Sequence, residues 1–485
     1  MLFNSYQFLI FLPIVVLFYF LIPHRFRHVW LLLASYFFYA CWNPSYTLLL
    51  LFSTTVTYFS SRLIANASTT SRKKLFVALS LVLNFATLFF FKYFNFAVEN
   101  LERFFGFKVP GAPFDIVLPV GISFYIFQAI GYTIDIYRNE LPPEKNFLRY
   151  ALFVSFFPQL VAGPIERSKH LLGQFYEKHY FDFNRAKDGF LLILWGMFQK
   201  IVIADRLGIL VRQIFDHPSE YQGLYIIFGV ICFAFQIYCD FSGYSLIAIG
   251  SAKIMGFRLM ENFDAPYFSR SIPEFWRRWH ISLSSWFRDY LYIPLGGNRK
   301  GKLRTYLNLM LVFLASGLWH GASWHFIVWG GLNGLFIVLS RITKNFREKL
   351  RKRSPLPFAL HVAFRLLVTF TLVNFAWLFF RAESLNQAFL MLGNIFRSWN
   401  PQILFDGSLA HLGLSSKSLF IGLIAVAILL IADCIKWRGT TVRSIIYRRP
   451  IWFRWLFYLI AIFTILVFGV WGPTYNQSNF IYFQF

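Results

Sequence analysis

Charge is scarce in this chain. Lys, Arg, Asp and Glu make up 14% of its 485 residues, against roughly 25% in soluble domains. Acidic residues are the scarcer kind, 22 against 47 Lys and Arg. So small a charged fraction leaves little to cover a water-facing surface of this size. Cysteine is scarce too: Cys41, Cys232, Cys239 and Cys434 form no CxxC pair, which removes a disulfide framework and a CxxC metal or redox motif from consideration. Cys232 and Cys239 stand two helical turns apart in an apolar run and read as buried, inert thiols. GxGxxG, GxxxxGK[ST], GxSxG and HExxH are all missing. Those absences argue against a dinucleotide fold, a P-loop, a serine-esterase elbow and a zincin. Internal repeats and low-complexity tracts are missing as well.

What the chain has is apolar. Hydrophobic residues reach 57% and aromatics 21%, with 63 Phe. Apolar runs approach the roughly 20 residues needed to cross a bilayer core. They include Tyr6–Ile22, Leu75–Phe91, Leu224–Cys239, Phe326–Leu339, Leu419–Ile431 and Trp452–Val470. The alternating segments of a transmembrane barrel do not occur. The expected fold class is therefore all-α and polytopic, a single membrane domain over 1–485 with about ten to twelve spans plus partial helices. The first apolar run lacks a basic leader and a small-residue cleavage site, and reads as a retained span. The formal charge of +25 gathers in clusters such as Arg341–Arg353 and Lys436–Arg454, and residues 341–357 read as a charged, Pro-containing linker. Short basic clusters between spans set topology and meet anionic headgroups, and no nucleic-acid motif accompanies them.

Polar chemistry concentrates between about residues 119 and 333. In ICFAFQIYCDFSGYSLIAIG, Gln236 and Asp240 share a helix face. An acid at membrane depth costs roughly 3 kcal/mol on insertion scales. Asp240 is expected either to pair with an Arg or cap a helix broken at Ser242–Gly243, or to line a reaction chamber. SIPEFWRRWHISLSSWFRDYLYIPLGGNRKG opens with Ser271 as an N-cap before Pro273 and Glu274. Its Arg277, Arg278 and Arg288 mix with Trp and Tyr, as in an interfacial helix. These bases could also meet a nucleotide phosphate. His280 falls in the middle. In LASGLWHGASWH, His320 and His325 are five apart with no Glu between them, unlike a helical zinc pair. No metal is expected. An imidazole there is either a hydrogen-bonded core residue or a general base.

Several of these stretches together resemble the membrane-bound O-acyltransferase family, in its bacterial branch concerned with alginate and peptidoglycan O-acetylation. The resemblance runs over almost the whole chain. It is carried by LPVGISFYIFQAIGYTIDIYR (118–138), FPQLVAGPIER (157–167), QIYCDFSGYS (236–245), the run MGFRLMENFDAPYFSRSIPEFWRRWHISLSSWFRDYLYIPLGGNRKG (255–301), SGLWHGASW (316–324) and the terminal FIYFQF (480–485). It implies a helical fold ringed around a central funnel, with His320 as the catalytic histidine and His280 as a second one near the same chamber. His325 matches no catalytic position. Candidate chamber-lining residues are Asp240, Gln236, Trp319, Ser316, Trp279 and Asn298. No donor-binding residue is determined; Arg277, Arg278 and Arg288 are the bases at hand. The resemblance further implies acetyl-CoA as the acyl donor, with no bound cofactor, and an extracytoplasmic partner of the SGNH-hydrolase type. The acceptor would be a polysaccharide and the location the bacterial cytoplasmic (inner) membrane. One departure is Leu246, where many relatives carry a polar or acidic residue after SGYS.

The rival class is a transporter of acyl groups or small solutes, which an intramembrane Asp and broken helices would also suit. Its matched pair of interrupted helices in two related halves is missing. Within the enzyme class, teichoic acid and other acceptors stay open beside alginate and peptidoglycan.

Overall fold

A computed structural model of the protein describes residues 1–161, 163–354 and 357–471. The FIYFQF motif lies outside the described residues, as does Ala162 of FPQLVAGPIER. Among the described residues the elements are helices and turns, with no strand. Seven helices are long and apolar enough to cross a bilayer: Pro44–Asn66, Thr70–Phe105, Leu224–Met255, Trp324–Ile342, Phe358–Arg381, Ser416–Trp437 and Ile451–Phe468. Tyr6–Leu21 is a shorter apolar helix. The all-α, polytopic class is thus the observed one. Several other apolar segments form shorter or interrupted helices.

By their contacts the residues fall into two compact units, Met1–Ile193 with Tyr244–Met260, and Leu194–Gly243 with Glu261–Phe485. In the first unit, Thr47–Asn66 packs against Thr70–Leu88 and Ile122–Tyr137. Hydroxyls and amides mediate the packing. Ser53 Oγ donates to Asn84 Oδ1 at 2.5 Å, and Tyr150 Oη donates to Thr57 Oγ1 at 2.7 Å. Small polar residues let apolar helices approach and bond where water is absent. Gln128 and Gln159 each send a side-chain N–H to the Phe153 carbonyl at 2.6 Å. Asp135 accepts from Ser168 Oγ at 3.1 Å. The polar residues of the 118–138 stretch therefore bond within this unit.

The second unit holds both histidine-bearing stretches. The Gly301–His320 and Trp324–Ile342 helices form an antiparallel hairpin. They touch backbone to backbone: a methyl on Gly317 would overlap the Phe326 carbonyl, and one on Gly330 the Phe313 carbonyl. Two local expectations are corrected here. The Leu224–Met255 helix runs unbroken through Ser242–Gly243, so Asp240 caps nothing. The charged stretch 341–357, read from sequence as a linker, forms the helix Lys344–Arg353 over most of its length.

Candidate active site

His320 is the last residue of the Gly301–His320 helix. The helix stops because the next residue, Gly321, turns to extended backbone, its N–H still reaching the Gly317 carbonyl at 3.3 Å. The imidazole is buried. Rings enclose it edge-on: Trp329 with centroids 5.0 Å away, Phe380 at 5.3 Å and its neighbour Trp319 at 5.0 Å. Ser316 lies one turn earlier on the same helix and is buried as well. Trp329 and Phe380 come from two further helices, Trp324–Ile342 and Phe358–Arg381.

His280 sits where the 271–301 stretch breaks. Ser271 caps the first helix, Ile272–Arg278, accepting from the Glu274 N–H at 3.3 Å as its sequence suggested. A second short helix, Ile281–Phe287, follows. Between them His280 takes the left-handed conformation, φ 43° and ψ 54°. A non-glycine residue there is strained by about 1–3 kcal/mol and persists only where its surroundings hold it. Asn262 supplies much of that hold. Its Oδ1 lies 3.1 Å from His280 Nδ1, 3.2 Å from the Ser282 amide and 2.9 Å from Ser282 Oγ. The His280 ring packs edge-on against Phe241 at 4.6 Å and against Trp319 at 6.1 Å. Trp319 therefore touches both imidazoles, which brings the two motifs together across 40 residues of sequence.

His325 goes elsewhere. Its Nδ1 donates to the Phe379 carbonyl at 3.1 Å. Phe379 belongs to the last turn of the Phe358–Arg381 helix, where carbonyls have no partner within the helix. His325 thus caps that helix end.

Asp240 meets a base that sequence reasoning missed. Lys200 Nζ lies 2.6 Å from Asp240 Oδ1 and 2.8 Å from Asp205 Oδ1, with all three side chains buried. Lys200 stands in a π-helical segment, Phe198–Ala204. The signal available in sequence was a lone Lys and an Asp in the apolar stretch FQKIVIAD. Gln236, one turn before Asp240, lies beside Gly208, where an added methyl would come within 2.8 Å of its Nε2. Trp279 is buried in an aromatic cluster with Phe263, Phe275, Tyr238, Tyr267 and Trp377.

The remaining candidates lie toward solvent. Asn298 is exposed on the turn before Gly301. Arg277 is exposed. Arg278 pairs with Asp264 at 3.1 Å and Glu274 at 3.3 Å. Arg288 pairs with Asp289 at 2.7 Å, a bond that raises its already high pKa. The Arg278 pairings brace the turn that carries His280.

These features define a class: a helical protein of the membrane whose buried imidazoles sit among aromatic rings, suited to proton transfer away from water. The family follows from comparison. Residues 138–379 match the model of MBOAT, the membrane-bound O-acyltransferase family. The probable alginate O-acetylase AlgI of Pseudomonas putida is 41% identical over 401 residues, 82% of this chain and 80% of that protein. The peptidoglycan O-acetyltransferase of Helicobacter pylori is 38% identical over 424 residues, 81% of this chain and 79% of that protein. The teichoic acid D-alanyltransferase of Streptococcus thermophilus is 28% identical over 285 residues, 54% of this chain and 68% of that protein. The chain belongs to the membrane-bound O-acyltransferase family and is an O-acyltransferase.

Proposed function

We propose that this O-acyltransferase takes acetyl from acetyl-CoA and serves the O-acetylation of an extracytoplasmic polysaccharide of the alginate or peptidoglycan type. The observation that carries the reading is the likeness, over four fifths of each chain, to relatives named for those two acetylations. In this reading the protein sits in the bacterial inner membrane and hands acetyl to a periplasmic partner of the SGNH-hydrolase type.

His320 is the general base. Its neutral imidazole takes the proton of the acceptor hydroxyl as that oxygen attacks the thioester carbonyl. The C–S bond breaks, CoA leaves as thiolate, and the proton held by the imidazole returns to it as thiol. The enclosing Trp329, Phe380 and Trp319 rings support the role by keeping bulk water from competing with the acceptor. His280 is the second histidine of the same site. No bound cofactor takes part, because acetyl-CoA is consumed as substrate.

The test is direct. Purified protein given labelled acetyl-CoA and acceptor should release CoA, and His320→Ala should lose that turnover by at least about 100-fold, the lower end for removing a general base. A deletion strain should lose ester from one named polymer and regain it with the wild-type gene alone. Folded His320→Ala protein that restores full polymer acetylation would overturn the reading. Acetate appearing across a vesicle without CoA release would favour a transporter.

A further inference from the structure

We propose that Asn262 is the positioning residue of His280: its side-chain oxygen holds the imidazole in the neutral tautomer protonated on Nδ1, leaving Nε2 as a proton acceptor. The proposal rests on the reading that His280 serves acyl transfer.

The tautomer follows from one unambiguous donor. A backbone amide can only donate, and the Ser282 N–H reaches the Asn262 side-chain atom at 3.2 Å. That atom is therefore the amide oxygen, and Ser282 Oγ donates to it at 2.9 Å. His280 Nδ1 lies 3.1 Å from the same oxygen. A nitrogen bonded to an acceptor must carry the proton. The rings of Phe241, Phe263 and Trp319 surround the imidazole, and its exposure is 1%. Such a site favours the neutral form. A neutral imidazole with Nδ1–H has its lone pair on Nε2.

The backbone is built to the same end. Ile281 N–H donates to the Asn262 carbonyl at 3.0 Å, and Asp264 N–H to the Arg278 carbonyl at 2.9 Å. Arg278 Nη1 returns to the Asp264 carbonyl and carboxylate, both at 3.1 Å. Residues 262–264 thus clasp the chain on both sides of His280. The strain is maintained at the position whose imidazole meets Trp319, the neighbour of His320. Nε2 can then accept a proton or orient a hydroxyl or thiol hydrogen, and cannot donate one.

The experiment compares full-length protein and its variants in lipid nanodiscs, reading kcat and KM for acetyl-CoA across pH. Asn262→Ala should lower kcat by about 10- to 100-fold, as for loss of a partner that orients a ligand histidine, with KM near the wild-type value. Asn262→Asp offers the same three donors a carboxylate and stabilises the imidazolium. It should recover most of kcat while moving the acid limb of the kcat profile to higher pH. The charged and titratable groups on elements packed against His280 include Asp264, Arg278 with its partner Glu274, Asp240 with Lys200 and Asp205, Cys239, and His320. The series leaves all of them unchanged. If Asn262→Ala does not survive purification, Asn262→Asp decides alone. An acid limb identical to wild type in Asn262→Asp, or a wild-type kcat in Asn262→Ala, overturns the proposal. His320→Ala run in parallel separates the two failures. An active His320→Ala protein overturns the functional reading. An inactive one beside Asn262 variants indistinguishable from wild type overturns this inference alone.

Discussion

Three histidines within 46 residues of sequence have three different neighbourhoods, and the neighbourhoods divide their work. His320 is enclosed by rings, His280 is held by Asn262, and His325 closes a helix end. His325→Ala should therefore cost stability and spare chemistry. Leaving the Phe379 carbonyl unsatisfied costs about 1–3 kcal/mol, read as a lower unfolding temperature, while turnover per folded molecule stays at the wild-type level. A large fall in turnover by that measure would place His325 in the reaction. A fourth histidine gives a pH effect outside the spans. Glu166, hydrogen-bonded at 2.8 Å, raises the pKa of His170 above its ordinary 6.5. A raised folded value stabilises fully below the unfolded pKa and is lost as pH rises through the folded one. His170 is nearly half exposed, so screening limits the gain to about 0.5 kcal/mol. The stability gap between wild type and His170→Gln should be widest below pH ~6.5 and close at higher pH. A gap that grows with pH would contradict the assignment.

At the scale of elements, two contacts hold helices of the second unit together. The Gly301–His320 and Trp324–Ile342 helices meet at Gly317 and Gly330, where no side chain fits. Gly330→Ala should force them apart at a cost of about 1–3 kcal/mol, and lower kcat because Trp329 moves with it. Wild-type turnover and melting in that variant would mean the hairpin tolerates separation. The Lys200 triad is the second contact. Removing one partner of a buried ion pair costs about 3–5 kcal/mol. Lys200→Met should abolish accumulation in membranes, and adding Asp240→Asn with Asp205→Asn should restore part of it. If the triple variant accumulates no better than Lys200→Met, charge balance is not what the triad supplies.

At the scale of the whole molecule, the basic clusters set a topology. Between Arg341–Arg353 and Lys436–Arg454 lie two membrane-length helices, Phe358–Arg381 and Ser416–Trp437. With both helices crossing, the chain returns to the side it left, and the positive-inside rule predicts both clusters on the cytosolic face. Single cysteines at Lys349 and Arg448 should react with an impermeant maleimide only in inverted vesicles, and one at Ser408 only in intact cells. Opposite labelling of the two basic positions would refute it. The apolar pattern permitted this parity without requiring it, because only the structure shows which segments reach membrane length.

Composition and run length settled the all-α membrane class, since lipid admits only helices and closed barrels and the alternating segments of a barrel are missing. Local chemistry was legible wherever it acts over one turn: Ser271 capping its helix is read from four residues. Motifs marked His320 and His280, and the long 255–301 run identified the family. What sequence could not say is which residues meet. Asn262 reaches His280 over 18 positions, Lys200 reaches Asp240 over 40, and Trp319 links the imidazole of a turn to that of a helix end. The expected break at Ser242–Gly243 did not occur, because packing in the bundle holds a helix through residues that would end it alone. Contact between distant residues depends on how helices pack, and periodicity reports only one helix at a time. The tertiary structure alone decided which histidine has a partner that orients it and which one merely closes a helix.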